Sequence, residues 1–295
     1  MASTYLTLVN NVLRDFNEVE LTSSNFGSSR GVQTTVKDYV NRSITDLINS
    51  ELNWPFTQAT GSIDVIAGKQ LYSHASIAST LKYVDYDNMF LKPKNYITNG
   101  TYEVSGSASI TGWTTVSGSP AASSKFGNTL LLTSAKVTQE ISDLIVGRSY
   151  IILTQTSGGT LTLDVGTSSG GSQTKSVTLT VSNANEVSLN ETTFTATAIT
   201  HFVSFTEAAG SAAYVKLVEL SENIEPIPLK YLSYEEYNER YRERDNRLDT
   251  DKFADPEFVY TTYNDEIGLT PIPDTSNRTL EFDYYVSHTD LSSAT

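Results

Sequence analysis

The sequence predicts an α+β protein: a helical scaffold with a small β-sheet, interrupted by an all-β sandwich. Apolar residues repeat at three- and four-residue spacing in the first 50 residues, which is typical of helices. From about residue 97 the composition changes to Ser, Thr and Gly with short alternating apolar runs, which is typical of antiparallel strands. A helix and a hairpin pattern return after residue 222. We therefore divide the 295 residues into scaffold 1–96, inserted sandwich 97–221 and scaffold 222–295.

Two helices are predicted at the N-terminus. The first has one apolar face over residues 5–16, and Ser3 or Thr4 can cap its start. The second is predicted to begin near Ser28 and Ser29. Its predicted buried stripe consists of Val32, Val36, Tyr39, Val40, Ile44, Leu47 and Ile48.

The remaining scaffold elements are predicted from period and turn chemistry. Residues 62–66 and 69–73 are predicted to form a β-hairpin, and residues 81–91 another strand. After the sandwich, Ser233 and Glu236 have the spacing of a capping box, so they predict a third helix that carries Tyr234, Tyr237 and Tyr241 on one face. A hairpin around Asn264-Asp265 and a final alternating strand over 279–286 follow.

Charge and composition exclude several function classes. The net charge is −14, and residues 222–295 hold 17 acidic but only seven basic residues. Binding to duplex nucleic acid relies on Lys and Arg, so this balance argues against it and predicts an acidic surface on the C-terminal segment. There is no cysteine, and no apolar run approaches the roughly 20 residues of a membrane span.

No catalytic, cofactor-binding or metal-binding residue is predicted, and we expect a protein that is not an enzyme. His74, His201 and His288 lack the spacing of a metal site. Residues 166–170 match G-x-S-x-G, but that nucleophile motif requires a following helix, whereas strands are predicted on both sides. Trp113 has two interpretations: packing in the sandwich core, which is favoured, or stacking on a sugar ring.

The scaffold resembles the head-to-tail adaptors of tailed bacteriophages, the family of tail tubular protein A and head completion connectors. The resemblance lies in residues 51–73, 81–91, 229–240, 258–274 and 279–292. It implies a structural protein that forms the connector ring between portal and tail in the virion neck and is made in the host bacterial cytoplasm. The implied partners are the portal protein, a tail nozzle or tail tube protein, identical subunits in a ring of twelve, and double-stranded DNA that passes through the lumen without specific binding.

The second predicted helix is the expected contact between neighbouring subunits of that ring, because its polar flanks carry both signs of charge. Such a heterologous contact closes by rotation. The candidate residues are Lys37, Asp38, Arg42 and Asp46.

The insertion resembles carbohydrate-binding modules of the jelly-roll type. The resemblance rests on residues 98–103, on Gly112-Trp113 and on the strand at 213–220. Many such modules hold calcium with aspartates in the last strand, but Lys216 stands in that neighbourhood, so calcium is not expected despite Glu103. The alternative function is therefore a glycan-binding or host-adhesion virion protein that uses the sandwich, with Trp113 as the candidate glycan contact and a surface glycan as partner.

Overall fold

The computed structural model describes residues 4–51, 54–74, 81–102, 110–179, 185–246, 252–264, 266–287 and 291. The chain divides into two compact units. The scaffold unit comprises Met1–Leu91, Ile227–Ser276 and Leu280–Thr295. The sandwich unit comprises Lys92–Pro226 and Asn277–Thr279.

Strands dominate the described part of the chain, which contains four α-helices and eighteen strands. The helices are α1 Tyr5–Asp15, α2 Val32–Asn49, α3 Tyr234–Arg240 and α4 Arg242–Asp245. The strands are β1 Gln58–Asp64, β2 Leu71–Ser73, β3 Leu81–Pro93, β4 Thr114–Ser117, β5 Ala121–Ser123, β6 Thr129–Leu132, β7 Ala135–Ile141, β8 Ser149–Gly158, β9 Leu161–Gly166, β10 Lys175–Leu179, β11 Ser188–Thr195, β12 His201–Glu207, β13 Ala213–Glu222, β14 Ile227–Pro228, β15 Lys230–Leu232, β16 Phe258–Thr261, β17 Glu266–Thr270 and β18 Arg278–Val286.

The first helix forms as predicted. Thr4 caps α1 by accepting a hydrogen bond from the Thr7 backbone N–H at 3.2 Å. Tyr5, Val9 and Leu13 are buried on one face, where Phe26 packs edge-on against Tyr5. The helix therefore belongs to a small apolar cluster of its own.

The second helix differs from its prediction. A short 3₁₀ helix occupies residues 26–28, and α2 begins only after Gly31, whose φ of 61° favours glycine. Within α2 only Val36 and Ile48 are buried, so the predicted continuous stripe is wrong. Val36 and the partly buried Val40 pack in the cluster with α1, whereas Val32, Tyr39 and Leu47 lie off that contact and are 50%, 61% and 62% exposed.

The predicted fold class, a helical adaptor scaffold with a small sheet, is wrong for the scaffold unit. Its described strands form two four-stranded sheets, in the orders β1-β18-β3-β14 and β15-β16-β17-β2. Their shared core includes Val84, Leu91, Ile267, Leu280 and Phe282. Burial of these side chains requires two sheet faces, and α1 packs in a separate cluster.

Two hairpin predictions have opposite outcomes. The hairpin over 62–73 is wrong, because β1 joins β18 while β2 joins β17 in the other sheet, where Tyr72 pairs with Ile267. The later hairpin is confirmed, because β16 and β17 are antiparallel and Thr261 pairs with Ile267. Its turn residue Asp265 lies outside the described residues.

The third helix is also confirmed. Ser233 and Glu236 form both hydrogen bonds of the capping box that opens α3. Tyr237 lies buried against Tyr260, with ring centroids 3.8 Å apart and planes 8° from parallel. The helix is thereby fixed to β16.

The sandwich unit consists of two five-stranded antiparallel sheets. The first, which we call the β12 sheet, has the order β10-β9-β12-β7-β4, and the second, the β8 sheet, has the order β11-β8-β13-β6-β5. Leu163, Val203 and Phe205 from the β12 sheet and Ile152 and Leu220 from the β8 sheet are completely buried in one core. Because side chains alternate along a strand, the residues between them face outward.

Candidate functional site

Trp113 packs in the sandwich core. Its ring lies between Tyr102, with centroids 5.6 Å apart, and Phe205, at 5.7 Å. Its indole N–H is buried and has no hydrogen-bond partner among the described residues. This placement favours packing over stacking on a sugar, and the role of Trp113 as a glycan contact stays a prediction.

The four residues predicted as a subunit contact do not form one group. Lys37 turns inward, where its Nζ donates to the Phe26 carbonyl at 2.9 Å and lies 4.3 Å from the Phe26 ring centroid. Asp38, Arg42 and Asp46 line a depression of about 420 Å³ along α2. Lys37 thus stabilises the helix pair, whereas the other three are available at the surface.

The two histidines among the described residues lie in separate surroundings. His201 is buried against Phe194, and burial lowers the pKa of its imidazole. His74 bonds to Tyr86, and His288 lies outside the described residues. No group of three or more His, Asp or Glu side chains suited to a metal occurs in the described residues, and none of the described helices has the length and hydropathy of a membrane span.

The outward side of the β12 sheet, the β12 face, carries a row of polar side chains. Asp164 accepts hydrogen bonds from Ser176 at 2.7 Å and from the Lys136 ammonium at 3.2 Å, and Ser204 donates to Thr138 at 2.9 Å. Across the strands the row runs Ser176, Asp164, Ser204, Thr138, Thr114.

The middle of that row of polar side chains is buried beneath a loop. Ser204 is 0% exposed and Asp164 only 7%, although both lie on the outward side. The loop over residues 167–174 crosses above them, because the Lys136 ammonium donates to the Gly170 carbonyl at 2.6 Å. A Cβ at Gly170 would also touch Val116 on the edge strand β4. The β12 face therefore offers little contact surface at its centre.

The outward side of the β8 sheet, the β8 face, is accessible and mixed in character. Its side chains form four rows across neighbouring strands, and each row combines apolar with polar groups. Leu189 and the carboxylates at both ends of one row are exposed. The rows are Ser157-Tyr214-Leu131, Leu189-Gln155-Leu217, Glu191-Leu153-Glu219 and Thr193-Ile151-Ser221.

One end of the β8 face carries an aromatic–lysine cluster formed by Lys125, Phe126 and Tyr214. The Phe126 ring meets Tyr214 edge-on, with centroids 6.1 Å apart and planes at 82°. The Lys125 Nζ lies 4.5 Å from the Tyr214 centroid and 5.1 Å from that of Phe126. All three side chains are partly buried.

The backbone at this cluster is strained. Phe126 has φ of 63°, a left-handed conformation that a bulky side chain rarely adopts and that costs about 1–3 kcal/mol. The next residue, Gly127, also has positive φ, and open space surrounds it. Glycine adopts this conformation without strain, so the strain is confined to Phe126. The strain places an aromatic ring at the surface, which is typical of a functional site.

Sequence reasoning did not single out these three residues. The alternation of β13 does place Tyr214 outward, opposite the buried Ala213 and Val215. An aromatic residue inside a turn of the type Lys-Phe-Gly-Asn is a second signal, because turns favour small and polar residues. The meeting of turn and strand requires the β5-β6-β13 pairing, which sequence alone does not give.

Comparison with known proteins supplies structural likenesses alone. No protein-family model matches the chain, and no curated protein matches it. The enzymatically active domain of bacteriophage CBA120 tailspike protein 4 is 17% identical with a TM-score of 0.36; the match covers 43% of this chain and about a fifth (21%) of that one. TmCBM61, solved with β-1,4-galactotriose, is 17% identical with a TM-score of 0.34, over 44% of this chain and 99% of that one. The xylan-binding CBM22-1 domain of Paenibacillus barcinonensis Xyn10C is 9% identical with a TM-score of 0.35, over 44% of this chain and 95% of that one.

These findings contradict the adaptor assignment. The similar structures named above are carbohydrate-binding modules and a tailspike domain, and no family model places the chain among adaptors or connectors. The portal, the tail nozzle or tube, the ring of identical subunits and the DNA in its lumen are therefore wrong as predicted partners. Glycan binding, the alternative predicted function, remains as a proposal.

Proposed function

We propose that the protein binds glycans through the β8 face of its sandwich, with no chemical conversion of the glycan. The observation that carries this proposal is the outward aromatic–lysine cluster of Lys125, Phe126 and Tyr214. A pyranose ring has an apolar side of C–H groups, and the negative face of an aromatic ring attracts such groups. Tyr214 is the stacking platform.

Lys125 has two roles in this proposal. Without ligand its ammonium lies against both rings and holds them by cation–π attraction. With a sugar on the platform, the same three N–H donors serve hydroxyl oxygens at the edge of the pyranose. Binding therefore replaces the cation–π contact of the ammonium with hydrogen bonds to the sugar. No unpaired charge is buried in this exchange.

The neighbouring rows extend the contact. Gln155 offers an amide donor and acceptor between two leucines, and Glu191 and Glu219 offer carboxylate acceptors on both sides of Leu153. Strands lie about 4.8 Å apart, so the four rows, which lie on four neighbouring strands, give room for two or three sugar units. An oligosaccharide fits this surface better than a single sugar.

The test uses the full chain on a broad glycan array, followed by calorimetry with the strongest ligand. Tyr214→Ala removes the platform, and we expect affinity to fall about tenfold, which corresponds to about 1.4 kcal/mol. Phe202→Ala is the matched control, because Phe202 is a half-exposed aromatic on the outward side of β12. We expect that control to retain its affinity within about twofold.

Three results would count against the proposal. An array without any bound glycan removes the glycan-binding function itself. Binding that Phe202→Ala abolishes and Tyr214→Ala preserves moves the site to the β12 face. Conversion of a bound oligosaccharide to shorter products contradicts the non-catalytic role.

We also propose that the protein is carried on a virion. Mass spectrometry of purified particles tests this location, and absence of its peptides from intact particles would refute it.

A further inference from the structure

The scaffold unit contains two pairs of neighbouring tyrosine rings that the glycan proposal does not use. We define the tyrosine patch as Tyr83, Tyr86, Tyr231 and Tyr285. Tyr83 lies 6.2 Å from Tyr285 and Tyr86 lies 5.0 Å from Tyr231, measured between ring centroids. Tyr83 is 39% exposed and Tyr231 42%, whereas Tyr285 is buried at 9% and Tyr86 packs against the sheet core. The aromatic surface of the patch therefore belongs mainly to Tyr83 and Tyr231.

Two carboxylates border this patch. Asp85 and Asp87 follow Tyr83 on the outward side of β3, whereas Val84 between them and Tyr83 is buried. Burial raises the pKa of the Tyr83 hydroxyl, and the negative charges of Asp85 and Asp87 raise it further. The Asp85 carboxylate is held in place by the Asp87 backbone N–H at 3.1 Å and by the Asn88 amide at 2.9 Å.

The charge of the scaffold unit has the same sign. The unit contains 24 acidic and 12 basic residues, which leaves −12 of the total of −14. A surface of this charge raises the association rate of a basic partner and repels acidic ones. Neither Asp85 nor Asp87 forms an ion pair with any described residue.

We infer that the tyrosine patch docks an arginine-rich segment of a protein partner. The planar guanidinium of arginine stacks on tyrosine rings and forms paired hydrogen bonds with carboxylates, and here rings and carboxylates lie side by side. Tyrosine also loses little side-chain entropy on binding and is enriched in interface hot spots.

Charge favours an arginine-rich segment over a second copy of the chain or an anionic membrane as the partner of the patch. A second copy of the chain would bring another unit of −12 to the patch, and an anionic membrane surface would be repelled in the same way. An arginine-rich segment is the partner whose charge and shape both match.

The experiment measures binding of the full chain to an octa-arginine peptide at 0.15 M salt by fluorescence anisotropy. Tyr83→Ser and Tyr231→Ser are each expected to weaken binding about fivefold, whereas Tyr83→Phe keeps the ring and stays within about twofold. Tyr263→Ser is the control, because Tyr263 is strongly exposed and lies outside the patch. An octa-lysine peptide is expected to bind at least about threefold more weakly, because an ammonium cannot stack as a plane.

A matched pair of charge variants separates the patch from general attraction. Asp85→Asn with Asp87→Asn is expected to weaken binding more than about fivefold. Glu235→Gln with Glu239→Gln changes the charge equally on the exposed side of α3 and is expected to change binding less than twofold. Equal losses in both pairs, equal losses in the tyrosine variants and the Tyr263→Ser control, or no binding of octa-arginine would each overturn the inference.

Discussion

Glu207 at the end of β12 provides the sharpest test of how the sandwich is held together. Its carboxylate is 1% exposed and accepts four backbone hydrogen bonds, from Ser134 at 2.7 Å, Ala209 at 2.9 Å, Gly210 at 3.1 Å and Ser211 at 3.3 Å. One side chain therefore fixes both the turn before β7 and the turn before β13.

Glu207→Gln keeps the shape of the side chain and removes half of its acceptors. The single amide oxygen can serve about two of the four N–H groups, while the NH₂ group points donors at the other two. A hydrogen bond to a charged group contributes about 1.5–3 kcal/mol, so two lost bonds lower the free energy of unfolding by about 4 kcal/mol. Glu140→Gln, an exposed glutamate on β7, is the control and should cost under about 0.5 kcal/mol.

The loss should also depend on pH. Burial alone would raise the pKa of Glu207, but the backbone hydrogen bonds from Ser134, Ala209, Ser211 and Gly210 outweigh it and lower the pKa below its usual range. A carboxyl group with a lowered pKa in the folded state stabilises fully above its unfolded pKa of about 4.3, and this stabilisation disappears as pH falls through the folded value. The difference between wild type and Glu207→Gln is therefore largest at pH 7 and shrinks below about pH 4.

Urea titration followed by tryptophan fluorescence measures this effect in the sandwich unit. The chain has two tryptophans, so a Trp54→Phe background leaves Trp113, which contacts the core beside β12. A loss at pH 7 no larger than that of Glu140→Gln, or a loss that stays constant down to pH 3, would refute the assignment of the four hydrogen bonds.

Two further predictions concern packing. Gly268→Ala should lower the free energy of unfolding of the scaffold unit by more than about 2 kcal/mol, because the new Cβ would overlap the Tyr260 ring. Gly27→Ala is the control, because open space surrounds Gly27, and it should cost under about 1 kcal/mol. Thermal unfolding followed by circular dichroism compares the two variants. Trp113→Ala should lower the free energy of unfolding of the sandwich by about 3 kcal/mol, because contacts with Phe205 are lost, and should leave glycan affinity unchanged. A matching loss of affinity in calorimetry would instead make Trp113 a glycan contact.

The sequence predicted those elements whose signals are local. The short alternating apolar runs after residue 97 predicted strands such as β8 and β12, because one side of each faces the core. The Ser233 and Glu236 spacing predicted α3, because the capping box closes within one turn. The partners of β1 and β2 were not predictable in the same way. Their pairing with β18 and β17 joins residues some 200 positions apart, and the turn at Gly68 between them favoured the wrong, local hairpin.

The candidate site was less predictable than the fold for a related reason. Trp113 was the candidate glycan contact because an exposed tryptophan can stack on a sugar ring, but the residue type says nothing about the side of the sheet on which a ring lies. Tyr214 lies outward by strand parity, whereas Phe126 reaches it only through a left-handed turn that its residue type disfavours. Composition and periodicity predict the conformations that each residue type commonly adopts, so they do not predict a strained residue such as Phe126.

The distribution of charge links the two proposed surfaces. The sandwich unit has ten acidic and eight basic residues and is nearly neutral, whereas the scaffold unit carries almost the whole negative charge. A nearly neutral surface suits uncharged oligosaccharides, whose affinity comes from stacking and hydrogen bonds and is insensitive to salt. Binding of a basic partner at the tyrosine patch should weaken steeply as salt rises. Glycan and octa-arginine titrations at 0.05 and 0.5 M salt should therefore respond differently, and a parallel loss would place both ligands on one electrostatic surface.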